Sequence, residues 1–264
     1  MISRFTGCIY SIVSKVYTSC MDRTFARRRS TALLVVFLLI IFSIFQNPDH
    51  YKTEVPRPTD VSQATGEAVA ILERLEVKGR APKTGYTRSQ FGNGWITTAF
   101  GCDMRNEILQ RDLVNTIINI ECKVVSGTLI DPYTGKTIVF ERGAGTSQLV
   151  QVDHVVALSD AWQKGAQQLD YEARVQLAND PLELLAVDGG ANQQKGDGDA
   201  ATWLPPNRLF RCQYVARQIA VKKKYSLWVT QAEKDAMIRV LSGCPGQRLP
   251  AGLVIDGKVS SSLP

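Results

Sequence analysis

A chain of 264 residues accommodates one domain with an appendage or two small domains. Its 44% hydrophobic and 21% charged content is that of a globular protein, with no repeat or low-complexity tract, which excludes a largely disordered chain. A formal charge of +6 is compatible with solubility alone and bears on partners rather than on fold.

The N-terminus reads as separate from the fold. Arg27-Arg28-Arg29 leads into an apolar run from Thr31 to Phe45. That run spans about 22 Å as a helix, short of a ~30 Å hydrocarbon core, which suits a signal-peptide core or a short signal-anchor. Phe45-Gln46-Asn47-Pro48 is a poor cleavage site, so an uncleaved anchor is favoured over a secreted product. The arginines before the run place the chain beyond it outside the cell. The expected divisions are a basic leader at 1–30, the anchor or signal core at 31–45, a proline-bearing linker at 46–65, a folded domain at 66–248 and a tail at 249–264.

The cysteines divide along the same line. Cys8 and Cys20 precede the run and are expected to stay reduced. Cys102, Cys122, Cys212 and Cys244 lie after it, in an oxidising space. Four cysteines allow three pairings; 102–122 and 212–244 are favoured, closing loops of about 20 and 32 residues. A zinc site is the competing reading, but no Cys-x-x-Cys pair occurs. Buried free thiols are the third.

In chain order, Glu67–Glu76 reads as a helix, 79–94 as loop, and Met104–Leu113 as a short helix. Cys122–Leu129 and Lys136–Phe140 read as strands flanking an Asp131-Pro132-Tyr133-Thr134-Gly135 hairpin turn. Gln148–Asp153 reads as a strand, Asp160–Gln168 and Tyr171–Leu177 as helices, and Leu184–Asp188 as a strand turning at Gly189-Gly190. A helix is expected from near Asn192. Asn207, after Pro205-Pro206, caps a helix running to about Lys223. Arg208, Arg211, Val215, Gln218 and Lys222 recur on it at helical spacing, and are read as one basic, phosphate-tracking face extended by Lys223 and Lys224. Thr230-x-x-Glu233 is a capping-box pattern opening a last helix that ends at Gly243, next to Cys244.

The chemistry concentrates between 148 and 200. The chain has two histidines, and His50 lies beside the apolar run, so the folded part holds one imidazole, His154, directly after Asp153. Asn179-Asp180-Pro181-Leu182 and Asn192-Gln193-Gln194-Lys195-Gly196-Asp197 come next. An isolated Asp-His pair is more often a surface pair or a cap; the three motifs in this order resemble the HNH endonucleases. The similarity is greatest to the bacterial exported branch with a GmrSD-type C-terminal HNH domain. Gly79-Arg80-Ala81-Pro82, Cys102-Asp103-Met104-Arg105-Asn106, the Asp131–Gly135 turn, Asp153 through Trp162 and Trp203-Leu204-Pro205-Pro206-Asn207 carry it, over roughly residues 68–244.

The resemblance implies an α+β fold around a ββα-metal core, with added helices and a β-hairpin. It implies His154 as general base, Asp153 and Asn192 as ligands of a divalent metal (Mg²⁺, with Mn²⁺ as second choice), and Asn179 as a brace for the loop or the base. A positioned histidine can deprotonate water, and a hard cation binds few protein oxygens and keeps several waters. Lys195, one helical turn beyond Asn192, is expected at a phosphate, as is Arg105; each has an ordinary alternative, a solvated helix residue and a salt-bridge partner respectively. Asp197 and Asp199 are weaker candidate ligands. Asn192 stands where the family name implies a second histidine, and 38 residues separate it from His154, more than in compact motifs. The expected function is a membrane-anchored or secreted endonuclease cutting DNA, with RNA open as a second substrate, with little sequence preference and no organic cofactor. The alternatives are a non-catalytic extracellular DNA-binding or envelope protein on a nuclease scaffold, and a disulfide-stapled structural protein.

Overall fold

The computed structural model describes residues 64–250 apart from residue 100, and the backbone of a small hairpin at 254–255 and 258–259. The leader, the apolar run, nearly all of the linker, and Cys8 and Cys20 lie outside the described residues. Among the described residues no helix is long and apolar enough to cross a membrane.

The fold is mixed α and β with two disulfides. Helix α1 (Glu67–Leu72) buries Ala68 and Leu72, one turn apart. It stops short of the expected Glu76. Arg74 and Leu75 close it with tighter turns to Ile71 and Leu72, and Val77 then leaves to bridge Val229. Helix α2 (Met104–Asp112) is capped by Asp103, whose carboxylate accepts from the Asn106 amide, and buries Ile108 and Leu109. Strand β1 (Leu113–Ile118) begins without an intervening loop, where no strand was expected. Its β-branched residues pair antiparallel with β2 (Val124–Ile130), which pairs with β3 (Thr137–Glu141). The expected hairpin turn joins β2 and β3, with Gly135 at φ 76°.

Strand β4 (Val150–His154) pairs antiparallel with β5 (Leu184–Asp188), placing His154 opposite Leu184 and Asp153 opposite Leu185. Between them lie α3 (Leu158–Gln163), a 3₁₀ turn at Ala166–Gln168 and α4 (Tyr171–Ala178), the expected insertion. Helix α5 (Gly189–Lys195) begins directly after β5, three residues before Asn192. Asp188 caps it by accepting from the Ala191 amide at 2.7 Å. Any Cβ on Gly189 would collide with the Gln148 carbonyl oxygen, so strand and helix approach this closely only through glycine.

The β4–β5 ribbon is buried on both faces. Val150, Val152, Leu184 and Ala186 join a smaller core with α2 and the three-stranded sheet. Leu185 and Val187 join the larger, mainly helical core. This two-sided burial is why Leu184-Leu185-Ala186-Val187 is apolar throughout rather than alternating.

A 3₁₀ turn at Arg208–Phe210, capped by Asn207, leads into α6 (Arg211–Lys224), and Thr230 caps α7 (Gln231–Ser242). The expected basic face on α6 is not formed. Val215 and Gln218 are buried, and the Lys222 ammonium is fully buried, 3.0 Å from the Glu233 carboxylate. Lys224 pairs with Asp180. Glu233 gives its amide to Thr230, but its side chain turns inward instead of completing the capping box. There it joins a charge-balanced cluster of Arg80, Lys164, Lys222, Asp160, Asp199 and Glu233. Lys164 lies 2.8 Å from Asp160, 2.8 Å from Asp199 and 2.6 Å from Glu233; Arg80 reaches Asp160 and Asp199. Asp199 is therefore a structural anion, not a spare ligand.

Burial alone would raise the Asp199 carboxyl, but the hydrogen bond and charge of Lys164 and the charge of Arg80 outweigh it and hold it at about 2. The stability this supplies is complete above the ordinary value of 3.8 and is lost as pH falls toward 2. Melting temperature should therefore fall steeply over that window, and Asp199→Asn should flatten the fall. Lys164→Met, which leaves buried carboxylates short of a cation, should cost about 3–5 kcal/mol in denaturant unfolding.

The disulfides are Cys102–Cys122 and Cys212–Cys244, with Cα atoms 5.3 and 6.2 Å apart, the favoured pairing. Cys212–Cys244 ties the start of α6 to the end of α7 across a separation of 32 residues. Replacing both cysteines by serine should cost about 3–4 kcal/mol in the chain-entropy model. In a thermal melt that is a drop on the order of 10 °C; an unchanged melt would show that α6 and α7 hold together without the bond.

Candidate active site

The end of β4, the start of α3 and the outer side of α5 meet at a cleft of about 590 Å³. Asp153, His154 and Asn192 line it together with Lys83, Arg88, Trp95, Arg105 and Asp197. The ribbon and helix thus bring the first and third motifs of the central stretch to one place.

Asp153 and His154 point to opposite sides of β4, as consecutive strand residues must. Asp153 accepts from the Lys195 ammonium at 2.9 Å and from the Tyr133 hydroxyl at 2.5 Å. Burial, and then the Asp153 charge, push the Tyr133 phenol well above its usual value, so it remains a donor. The turn that aims Tyr133 is itself built on Asp131, whose carboxylate accepts from the Thr134 and Asp188 amides. That turn was legible as a hairpin; its role beneath Asp153 was not.

His154 is buried and stacks on Trp95, ring planes 4° apart and centroids 5.7 Å apart. Its Nε2 lies 2.9 Å from the Ala178 carbonyl oxygen, which can only accept, so Nε2 carries the proton and Nδ1 is the basic nitrogen. Burial lowers the imidazole to about 3, against a raising contribution from the Ala178 bond and with Arg88 and Lys195 lowering it further. A neutral ring is the form able to take a proton.

Asn179 ends α4. Its Oδ1 accepts from the Ile96 amide at 3.0 Å and its Nδ2 donates to the Val175 carbonyl at 2.9 Å. It does not touch His154. It ties the loop bearing Trp95 to the helix end bearing the Ala178 carbonyl, the two groups that hold the imidazole. The next residues are fixed by Arg111 and Arg217, whose guanidinium groups donate to the Pro181 and Leu184 carbonyls. Cys102–Cys122 pins the far side of the Trp95 loop, where Thr98 and Cys102 share a backbone hydrogen bond.

Lys195 departs from its expected place. Its ammonium is fully buried between the Asp153 carboxylate and the His154 carbonyl, 2.7 Å from the latter, and does not line the cleft. Two of its three N–H donors are taken, and the group is buried away from the cleft, so it is not presented to a phosphate there. Arg105 does line the cleft and has no ion pair among the described residues; burial, then the nearby Arg142, lower its guanidinium. Arg88 is exposed and likewise unpaired among the described residues, whereas Lys83 meets Asp197 at 3.1 Å. Asp153 is matched by Lys195, so Arg88 and Arg105 give the cleft its surplus positive charge. Arg208 and Arg211 lie elsewhere, at a second cleft. Trp95, Arg88 and Tyr133 escaped the sequence reading. Only Tyr133 lay in a recognised motif, and nothing local links the other two to His154.

Among the described residues no three His, Cys, Asp or Glu side chains gather as a metal site. Of the oxygen ligands lining the cleft, the Asp153 carboxylate and the Asn192 amide are the expected pair, while the Asp197 carboxylate is engaged by Lys83. Asn192 donates Nδ2 to Gln151 at 2.8 Å, which fixes the amide and leaves Oδ1 with no donor among the described residues. A carboxylate has about four lone-pair sites, so Asp153 keeps acceptor capacity beyond its two hydrogen bonds. This donor set fits a hard cation that retains most of its waters.

The family of the C-terminal domain of GmrSD restriction endonucleases matches residues 103–240, and the chain belongs to that family. Membership points to a nuclease. A protein of Arthroderma benhamiae called "Uncharacterized secreted protein" is 36% identical over 192 residues, which are 72% of this chain and 90% of that protein. No solved structure matches.

Asn179→Ala removes both ties, to the Ile96 amide and the Val175 carbonyl, at once. The expected cost is about 1 kcal/mol, measured by chemical unfolding. If the loop's hold on Trp95 positions His154, nuclease activity at a temperature where the variant is fully folded falls as well. Unchanged activity there would make Asn179 purely structural.

Proposed function

We propose that the protein is an exported, metal-dependent HNH endonuclease that hydrolyses phosphodiester bonds of DNA or RNA with little sequence preference. The observation that carries this reading is the His154 imidazole. It is neutral, held by Ala178 and Trp95, and lines one cleft with Asp153, Asn192 and two arginines without carboxylate partners among the described residues. A binding module needs no buried imidazole with a fixed tautomer beside a carboxylate, which disfavours the non-catalytic alternative.

In this reading β4, β5 and α5 serve as the ββα core. A water in the cleft gives its proton to Nδ1 of His154 as its oxygen bonds to phosphorus, and the bond from phosphorus to the leaving oxygen breaks. Arg88 and Arg105 receive the phosphoryl oxygens. A divalent cation held by Asp153 and Asn192 would polarise the phosphate and hold the leaving oxygen. Lys195 keeps the Asp153 carboxylate and the His154 backbone in register without meeting substrate. Export is supported by four paired cysteines and by the name of the Arthroderma relative, a secreted protein.

The test is plasmid nicking with Mg²⁺ and with EDTA. His154→Ala should lose about 10²–10⁴-fold in rate while remaining folded. Wild-type nicking by that variant, or wild-type protein indifferent to EDTA, would end the assignment. The cleaner test of a metal ligand is Asn192→Ala, because Asp153→Ala would also strand the buried Lys195 ammonium. Asn192→Ala should melt like the wild type and need more Mg²⁺ to reach half its maximal rate.

A further inference from the structure

The arginines that were expected to form a face on α6 instead converge with a third. Arg208, Arg211 and Arg239 line a cleft of about 640 Å³ between the start of α6 and the end of α7. Arg208 and Arg239 are exposed and Arg211 is half-buried. No acidic residue lines this cleft, and among the described residues none of the three makes an ion pair. Arg211 donates Nε to the Pro205 carbonyl at 2.8 Å, which sets the plane of its guanidinium and leaves the two Nη groups available. The Cys212–Cys244 disulfide also lines the cleft and ties the start of α6, which carries Arg211 and follows directly on the turn carrying Arg208, to the end of α7, which carries Arg239.

Three guanidinium groups lining one cleft without a carboxylate give it a positive potential that favours an anion. Elsewhere this fold neutralises its interior charges closely, as around Lys164. Guanidinium forks match phosphate oxygens in geometry as well as charge.

The position of the cleft indicates which phosphate. Gly196 and Asp197 line the active-site cleft, and Ala200 and Ala201 line this one. Three residues of chain span at most about 11 Å. The linings of the two clefts therefore come close enough for one polynucleotide, which carries a phosphate about every 3.4 Å of duplex axis, to reach both.

We propose that Arg208, Arg211 and Arg239 form a second phosphate-binding site that holds the nucleic-acid backbone beside the segment cut at His154. This rests on the nuclease reading for its substrate, but not for its charge and geometry. It makes the preferred substrate a polynucleotide long enough to reach both clefts.

The experiment uses the exported protein, wild type and R208A/R211A/R239A, on two substrates. One is a fluorescent duplex of about 20 base pairs, titrated in EDTA over a range of salt. The other is bis(p-nitrophenyl) phosphate, too small to reach the second cleft. With each contact contributing about 0.9, the slope of log K against log[salt] should flatten by about 2–3 in the triple variant. Hydrolysis of the small diester should be unchanged, and cutting of the duplex should slow at subsaturating concentration. The corresponding triple lysine variant, which keeps the charge, should retain most of the slope; R239E alone should weaken binding without altering the melt. An unchanged slope in the alanine variant overturns the proposal, as does wild-type protein that does not bind the duplex. Polyglutamate competing as well as the duplex would overturn the assignment to nucleic acid. A wild type that hydrolyses the small diester while the slope stays fixed removes the second site and leaves the nuclease reading intact. A flattened slope with neither substrate hydrolysed does the reverse.

Discussion

The Lys195 ammonium, buried between the Asp153 carboxylate and the His154 carbonyl, is the interaction on which the site depends. It fastens the last turn of α5 to the last two residues of β4, and β5 runs straight into α5 with Asp188 capping the junction. A buried cation is tolerable only while its partners stay in place, since stranding one costs about 3–5 kcal/mol. The ribbon and the helix are thereby locked to one relative position. The side chain that the sequence offered as a phosphate contact is more valuable as the strut beneath the carboxylate.

Around that strut, the imidazole is positioned by groups from two segments distant in sequence. Trp95 stacks on it, Ala178 accepts from Nε2, and Asn179 joins the Trp95 loop to the helix end. Each segment is secured separately: the first by Cys102–Cys122, the second by the arginine clamps on the Pro181 and Leu184 carbonyls. Burying His154 this way lowers its affinity for protons, yet it also excludes alternative rotamers and fixes the tautomer. A base that must wait with one nitrogen free is served by that exchange.

Charge is partitioned across the molecule. The six-residue cluster around Lys164 is balanced and, apart from Arg80, buried, and through Asp199 it anchors the segment after α5. Among the described residues the arginines at the two clefts have no ion pair. Net charge could not distinguish these populations, because a lysine inside a balanced cluster and an arginine on a cleft count alike in the sum. Lys222 and Arg208, both read onto one helical face, belong to opposite ones.

Several features were determined locally and were therefore legible. The Leu184–Asp188 strand and its end at Gly189, the Asn207 and Thr230 caps and the order of the Asp-His, Asn and Asn-x-x-Lys motifs arise from short-range chemistry, whereas the helix expected from near Asn192 begins at Gly189. The cysteine pairing came from compartment and helix ends, and the family from the motifs in sequence. Strand β1 was missed because Leu113–Ile118 had no turn before it to announce a change from helix. What only the tertiary structure decided was the surroundings of each motif: Tyr133 under Asp153, Trp95 against His154, Lys195 and Lys222 inward, and Arg239 beside Arg208. Those depend on which side of a helix or loop meets another element. Burial of a lysine or exposure of an arginine is set by whether carboxylates from remote segments arrive beside it, and no local pattern records that arrival.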